Sequence, residues 1–417
     1  MKRINLTITA QAPLAIGQRK PGGSVSEAMD YIPGTVIRGA IAGKLLQQGT
    51  PETGDDFHRL FVDEGAAIFQ NAYPAIAKVW NDVEEKYDYQ LSPEKTRVLP
   101  ATALSSKTES GFKRSPGDKK RGVFDALIDS YCAKEHGFFY EPNSKRGDRV
   151  EPFGGFYSRV NGSYFSHAVS KRLLTRVGIN RRRATAQDEI LYSLEVLNES
   201  QGKEKRQPTI YRSTILVDDT LADALSTFIN QNPDRFRLGG SASRGLGQVE
   251  INVAQDDVLA STQTVKDRID AFNDCLRQRW QQWGPFGNRT QSIEGKTFFS
   301  IGLESEAILV DNWRRIFVFS AKLLKPLIAV ETELEMAYSS YGYRSGWNAA
   351  WGLAKDIELV TTMGSVFLFS MPTSDENGWL EKLAKLELTG IGNRTSEGFG
   401  QIRVCDEFHQ VMREAPV

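Results

Sequence analysis

The sequence predicts an α+β protein built from two tandem βαββαβ units with insertions, and three observations carry that expectation. The stretches LGGSASRGLGQVEI (238–251) and GIGNRTSEGFGQIRV (390–404) both run from glycine through arginine to Gly-apolar-Gly-Gln and then into an alternating strand. Two such loops, each closing about one half of the chain, indicate an internal duplication. Strand-like and helix-like segments follow one another in a similar order in both halves. The chain has 417 residues, more than one hydrophobic core usually serves, so more than one domain is expected.

In the first half, residues 4–16 read as a strand with Ile4, Leu6 and Ile8 on one face, followed by a Gly/Pro/Ser-rich loop at 17–28. YIPGTVIRGAIAGKLL (31–46) turns at Pro-Gly, offers Thr35 as a cap and then follows a helical period. Its Gly39 and Gly43 lower helix propensity, which close approach of another backbone would explain. Residues 51–170 hold no long periodic segment and read as insertions and loops. LLTRVGINRRRATAQDEILYSLEVL (173–197) reads as a projecting hairpin around an arginine-rich connection, TIYRSTILV (209–217) as a strand and LADALSTFI (221–229) as a helix. The first glycine loop and its strand complete a ferredoxin-like order, the four-stranded frame of many RNA-recognition domains.

Val265, Ile269, Phe272, Leu276, Trp280 and Trp283 then recur at spacings of three and four, an amphipathic helix that GPFGN (284–288) ends. In the second half TFFSIGLES and FVFSAKLLKPLIAV read as strands, and SGWNAAWGLA occupies the helix position. SVFLFSM reads as a strand and WLEKLAKLEL as a helix before the second glycine loop. The expected units are therefore 1–255 with an insertion around 51–170, a connecting helix and linker at 256–295, and 296–417.

Hydrophobic residues at 40% and charged residues at 25% fit a globular protein and exclude wholesale disorder. No apolar run approaches the ~20 residues a membrane span requires, and the amino-terminal stretch alternates like a strand, so cytoplasm is the expected compartment and no membrane partner is expected. Cys132, Cys275 and Cys405 are far apart, which indicates neither a disulfide framework nor a local zinc site. The formal net charge is zero, so charge distribution matters more than the sum. Basic residues cluster at Lys113, Arg114, Lys119, Lys120 and Arg121, and again at Lys171, Arg172, Arg176, Arg181, Arg182 and Arg183. Such runs are solvated loop surfaces or phosphate contacts.

The Pro-Gly-x-x-x-Arg-Gly helix start, with Arg38 in it, resembles the corresponding segment of the RAMP superfamily, the RNA-binding subunits of CRISPR effectors. Both glycine loops resemble that superfamily's signature loop. The order of motifs and RVGINRRRATAQDEILYSLEVL most resemble the type III-D subunit that caps the 5′ repeat-derived handle of the guide RNA. The resemblance implies a scaffold and not a catalyst; relatives can carry paired cysteines near 130–150, where this chain has only Cys132 and His136, too few for a zinc knuckle, so neither a metal nor a cofactor is expected. Its implied partners are guide RNA, the large polymerase-like subunit and a backbone RAMP subunit. It also implies that the hairpin bearing Arg181, Arg182 and Arg183 is a thumb separating handle from spacer.

The residues suggest how such loops would hold RNA. Glycines 239, 240, 245 and 247, and 390, 392, 398 and 400, let successive backbone N–H groups point into one concavity. Arg244 and Arg394 would add planar donors for phosphate or a base, and Ser243, Thr395 and Ser396 would add hydroxyls. A tight turn between helix and strand is the simpler reading of either loop alone. A ribonuclease is the other functional class: Asp30, just before the helix start, lies near the loop where target-cleaving relatives place a catalytic aspartate, although the surrounding pattern is not theirs. The four histidines, 58, 136, 167 and 409, lie outside the glycine loops and the 31–46 helix. A structural bridge with little RNA contact is the third reading.

Overall fold

The computed structural model describes residues 1–18, 27–49, 52, 54–63, 65–81, 86–113, 119–180, 185–202, 206–257, 261–287, 292–348, 352–373 and 378–417. Strand β1 (Lys2–Ala10) alternates in burial because Ile4, Leu6, Ile8 and Ala10 face the core while Arg3, Asn5 and Thr7 face the other way. Helix α1 (Gly34–Leu46) follows the Pro-Gly turn, with Ile37 and Ile41 buried. Its first N–H is not capped by Thr35, as the sequence suggested; Gly34 N–H donates to the buried Asn71 Oδ1 at 2.8 Å. A side chain from another segment thus satisfies a donor that the helix itself leaves open.

The second strand of this unit is the short β2 (Ile68–Phe69), inside the stretch that the sequence pattern leaves as loop. Two residues show no periodicity, so only their pairing reveals them. Strands β3 (Lys171–Asn180) and β4 (Thr185–Leu197) form the expected hairpin, with Leu174 opposite Leu194, Arg176 opposite Tyr192 and a register shift between Val177 and Ile179. Arg181, Arg182 and Arg183 lie outside the described residues. Strand β5 (Ile210–Val217), helix α3 (Asp219–Asn230) capped by Asp218, and strand β6 (Gln248–Asp257) complete the unit. The antiparallel sheet runs β6-β1-β5-β2, that is fourth, first, third, second in chain order, with Phe236–Arg237 paired at the β6 edge.

Between β2 and β5 the chain builds a five-stranded sheet around Ile76–Asn81 and Ser163–His167, and a three-stranded sheet centred on Ala103–Ser106. This is ordered structure joined to the far end of the chain. Val123 and Val417 exchange backbone hydrogen bonds at 2.7 and 2.9 Å, and Phe408 and Val411 share a core with Phe112, Phe124 and Tyr157. A helix cut from the same region, α2 (Leu127–Glu135), buries Leu127, Ile128 and Tyr131 in the core of the second half.

Within the five-stranded sheet, His167 is buried, with Nε2 2.8 Å from Ser158 Oγ. Burial lowers its pKa from 6.5 to about 4. An unfolded chain therefore binds a proton that the folded chain refuses between these two values. The stabilisation is complete above pH 6.5 and is lost as pH falls towards 4, amounting to roughly 3 kcal/mol for a shift of this size. Denaturant titrations across this range should give a steeper acid loss for the parent chain than for His167→Gln, and equal slopes would contradict this assignment.

Helix α4 (Thr262–Trp283), capped by Ser261 through Thr264 N–H at 3.1 Å, buries Val265, Ile269, Phe272, Leu276 and Trp280, as its stripe predicted. The second unit starts with β7 (Lys296–Leu303). Here the structure corrects two expectations. The predicted strand FVFSAKLLKPLIAV contains helix α5 (Ala321–Ile328), with Leu324 and Ile328 one turn apart and buried and Pro326 near its end. The β-branched and aromatic flanks and the proline mask this helix, and burial of its single apolar face decides in its favour. The segment placed in the helix position instead pairs Trp347–Asn348 with Leu353–Ala354. Strand β8 (Glu333–Tyr338), strand β9 (Val366–Pro372), helix α6 (Gly378–Thr389) and strand β10 (Ile402–Val404) follow. The sheet order β8-β9-β7-β10 is again second, third, first, fourth, the same arrangement as in the first half. Among the described residues, no helix is long and apolar enough to cross a membrane.

Candidate nucleic-acid interface

The two glycine loops share one backbone path. Gly239, Ser241, Gly245 and Gly247 have φ of 89, 58, 83 and 86°, and Gly392, Arg394, Gly398 and Gly400 have 77, 60, 92 and 69°. A single 3-10 turn lies between the second and third of each set, Ala242–Arg244 in one and Thr395–Glu397 in the other. Each loop is clamped by the segment that follows the first strand of its own unit. Gly240 bridges Ala15, and Asn393 bridges Ile308.

This backbone alignment pairs Ser241 with Arg394 and Arg244 with Glu397. The arginines that looked matched in sequence are therefore not equivalent positions. Arg244 ends its turn and lies exposed with its guanidinium 5.7 Å over the Tyr192 ring, whose hydroxyl it also contacts. Arg394 opens its turn in the left-handed region and pairs with Glu397 at 2.6 Å, while its guanidinium sits 5.2 Å over Phe399. Glu397 also holds Lys355 at 3.1 Å. Burial alone would raise the Glu397 pKa, but Arg394 and Lys355 outweigh it and hold the carboxyl below its usual value.

Most of the glycines answer to neighbouring backbone. A Cβ at Gly239 would lie 2.5 Å from Ala15 O, one at Gly247 2.7 Å from Leu238 O, and one at Gly392 2.5 Å from Ile308 O. One at Gly400 would lie 1.8 Å from Ile391 O, and one at Gly390 2.9 Å from Gly400 O. Gly398 packs on the other half of the molecule, where its Cβ would meet Phe69 O and Asn71 Oδ1 at 2.8 Å. Gly245 has open space around it, and a Cβ on Gly240 would make only ordinary contact. The glycines thus set the loop shape. Open N–H groups remain on the turns: among the described residues, those of Ser241, Ala242 and Ser243 and of Arg394, Thr395 and Ser396 find no partner.

The loops differ in exposure. Ala242, Ser243, Arg244 and Gly245 are exposed, whereas Arg394, Thr395 and Ser396 are half-buried and Gly398 and Gly400 are buried. The first loop also seats the hairpin, because Leu246 packs with Ala15 and Val196 against Leu174 and Leu194 of β3 and β4. The base of the hairpin and the loop are therefore packed together.

Both loops open onto one cleft of about 590 Å³ between the halves, lined by Thr35 and Gly39 of α1, Gly239, Gly240, Arg344, Lys355 and Arg394 among others. Sequence reasoning missed a group in its wall, formed by Tyr31, Glu306 and Arg344. Arg344 donates to Glu306 Oε1 at 2.6 Å and to Tyr31 OH at 3.0 Å, although Tyr31 and Arg344 are 313 positions apart. Burial and the nearby Glu306 raise the Tyr31 pKa, so the phenol stays protonated. Tyr31 opens the YIPG stretch, but no local pattern links it to Arg344. The Arg344 Nη1 atom is buried and has no partner among the described residues.

Two other candidate residues are engaged elsewhere. Arg38 turns into its own unit, bonding Phe61 O with its guanidinium 5.7 Å over the Phe61 ring; burial lowers its pKa. Asp30 is exposed and pairs with Lys171 at 2.7 Å at the root of the hairpin, and Lys171 also donates to Ala28 O at 2.6 Å. Among the described residues, no group of three or more His, Cys, Asp or Glu is arranged to hold a metal ion. The close backbone approach expected at Gly39 and Gly43 is absent among the described residues, none of which lies within 4 Å of a Cβ on either.

The sequence matches no family model and no curated protein. Among solved structures, two cryo-EM structures of the Type III-B Cmr-beta complex bound to cognate target RNA align with the chain. The one that also holds AMPPnP matches over 87% of this chain and 86% of its own, with 14% identity and a TM-score of 0.38. The other covers the same shares with 13% identity and a TM-score of 0.37. A crystal structure of oligomeric Cmr4 from Pyrococcus furiosus aligns over 61% of this chain and 99% of its own, with 14% identity and a TM-score of 0.26.

Proposed function

We propose that the chain is a non-catalytic RNA-binding subunit of a CRISPR type III effector, built on two tandem ferredoxin-like, RRM-like units of the RAMP kind. In this reading it is the type III-D subunit that holds the 5′ handle of the guide RNA and docks against the large and backbone subunits. The supporting observation is the repeated glycine loop, with one backbone path in both halves and both copies opening onto the inter-unit cleft beside a hairpin seated on the first loop. Open N–H groups, Arg244 stacked on Tyr192, and Arg344 and Lys355 in the cleft suit phosphates and unstacked bases.

The loops contribute unequally, since Arg244 is exposed and Arg394 is held by Glu397. In a titration of repeat-derived RNA, Arg244→Ala should weaken binding more than Arg394→Ala, and the double variant should weaken it most. Each lost phosphate contact should make the salt slope shallower by about 0.7 on single-stranded RNA. Unchanged affinity and slope in a folded double variant would remove the loops from the interface. Incubating the same protein with repeat and target RNA, with and without divalent metal, tests the ribonuclease alternative. Intact RNA is expected because Asp30 is paired with Lys171, and a metal-dependent cut lost in Asp30→Ala would overturn the non-catalytic reading.

A further inference from the structure

A second chamber lies away from the glycine loops. It occupies about 530 Å³ between the outward face of the first sheet, the insertion and helices α4 and α6, a size suited to a small-molecule ligand. The face that β1 and β5 turn away from their own core supplies Arg3 and Arg212, the insertion supplies Lys95 and Arg97, and the second half supplies Arg268 and Arg403. Two carboxylates, Glu304 and Glu387, also line it.

The carboxylates do not balance the cations. Arg97 and Lys95 share Glu304 at 3.4 and 3.6 Å. Arg268 holds Glu387 at 2.5 Å, and Arg403 lies 4.0 Å from that same group while reaching Glu407 at 2.8 Å. Among the described residues, Arg212 bonds only to the carbonyls of Ser92 and Pro93 at 2.6 and 3.2 Å, with Glu94 O at the 3.5 Å limit. Arg3 has no ion-pair partner among the described residues, and Arg403 Nε is buried without a hydrogen bond. Lys95 opens to solvent at the mouth of the chamber and still feels these charges: Glu304 draws its pKa up, while partial desolvation and the cations Arg97, Arg403 and Arg3 pull it down. A surplus of fixed cations in a confined space favours a ligand carrying several negative charges on a compact group. Arginine forks match the oxygens of phosphate, and Thr7, Thr96, Thr214 and Thr264 add hydroxyls to the walls.

We propose that this chamber binds a compact polyphosphate, free or carried on a nucleotide, at a site separate from the glycine-loop cleft. The site draws on both halves and on the insertion, so occupancy ties the three together. It does not depend on the guide-RNA reading.

Thermal unfolding of the full chain with pyrophosphate, with ATP, and with sodium chloride at matched ionic strength tests this, alongside equilibrium dialysis of labelled pyrophosphate. A saturable rise in Tm beyond the chloride control is expected with pyrophosphate. Arg3→Ala with Lys95→Ala should raise the half-saturating concentration at least tenfold, and Arg244→Ala should leave it unchanged. Lys95→Glu, at the exposed mouth, provides a second variant if the double one folds poorly, and should weaken dialysis binding as strongly. An equal response to ATP assigns the group to a nucleotide, and a response to pyrophosphate alone assigns it to a free ion. A Tm rise no larger than that with chloride, pyrophosphate binding retained in the variants, or its displacement by RNA lacking a terminal phosphate would each overturn the proposal.

Discussion

Gly34→Ala should unfold the chain or lower its stability by at least about 3 kcal/mol, a loss in the range reserved for severe steric conflict. A Cβ at Gly34 would lie 1.9 Å from Phe69 O and 2.9 Å from Glu397 O. Both contacts are backbone, so no side chain can rotate away. The first belongs to β2 and the second to the glycine loop of the other half, which means the substitution pries apart a helix start, a sheet edge and the seam between units at once. Gly43 in the same helix provides the control. It is exposed with nothing within 4 Å of a Cβ, and Gly43→Ala should raise stability by up to about 1 kcal/mol through helix propensity. Denaturant unfolding of both variants checks the pair. Equal, small effects would show that α1 does not sit on the second glycine loop as described.

Asp129→Ala should cost about 3 kcal/mol, the low end of the penalty for breaking a buried ion pair, because Arg279 keeps a second carboxylate in Glu414 at 3.3 Å. The Asp129 side chain is fully buried at the junction of α2 and α4. It accepts from Arg279 Nε and Nη2 at 2.7 Å each, from Trp283 Nε1 at 3.0 Å and from Tyr140 OH at 3.3 Å. Removing the carboxylate leaves the half-buried guanidinium with only Gln282 and the exposed Glu414 as partners among the described residues and strands the Trp283 indole N–H. Because α2 comes from the insertion and α4 from the connection between units, the loss should appear as release of the insertion. Hydrogen exchange over residues 119–137 should accelerate more than exchange in β1, whereas uniform acceleration would mean that the insertion and the first sheet unfold as one body.

The sequence by itself determined the duplication and the elements whose periodicity is long. β1 alternates over nine residues and α4 carries its stripe over 22, so burial of one face is the only low-energy choice for either segment. The glycine loops were legible because the left-handed φ angles at Gly239, Gly245 and Gly247 and at Gly392, Gly398 and Gly400 favour glycine, and that preference is written in residue identity, although Ser241 and Arg394 adopt the same region without it. Their register was not legible. Arg244 and Arg394 stand at different steps of the same path, and only the backbone, with Gly240 on Ala15 and Asn393 on Ile308, shows which residues correspond. β2 is two residues long and α5 is eight with a proline, too short for local preference to outweigh their surroundings, and neighbouring strands or a waiting core decided both. The same holds for the Tyr31–Glu306–Arg344 group and for the surplus of cations between the halves. Charge and burial depend on distances through space, and residues hundreds of positions apart acquire those distances only when the two units and the insertion close on one another.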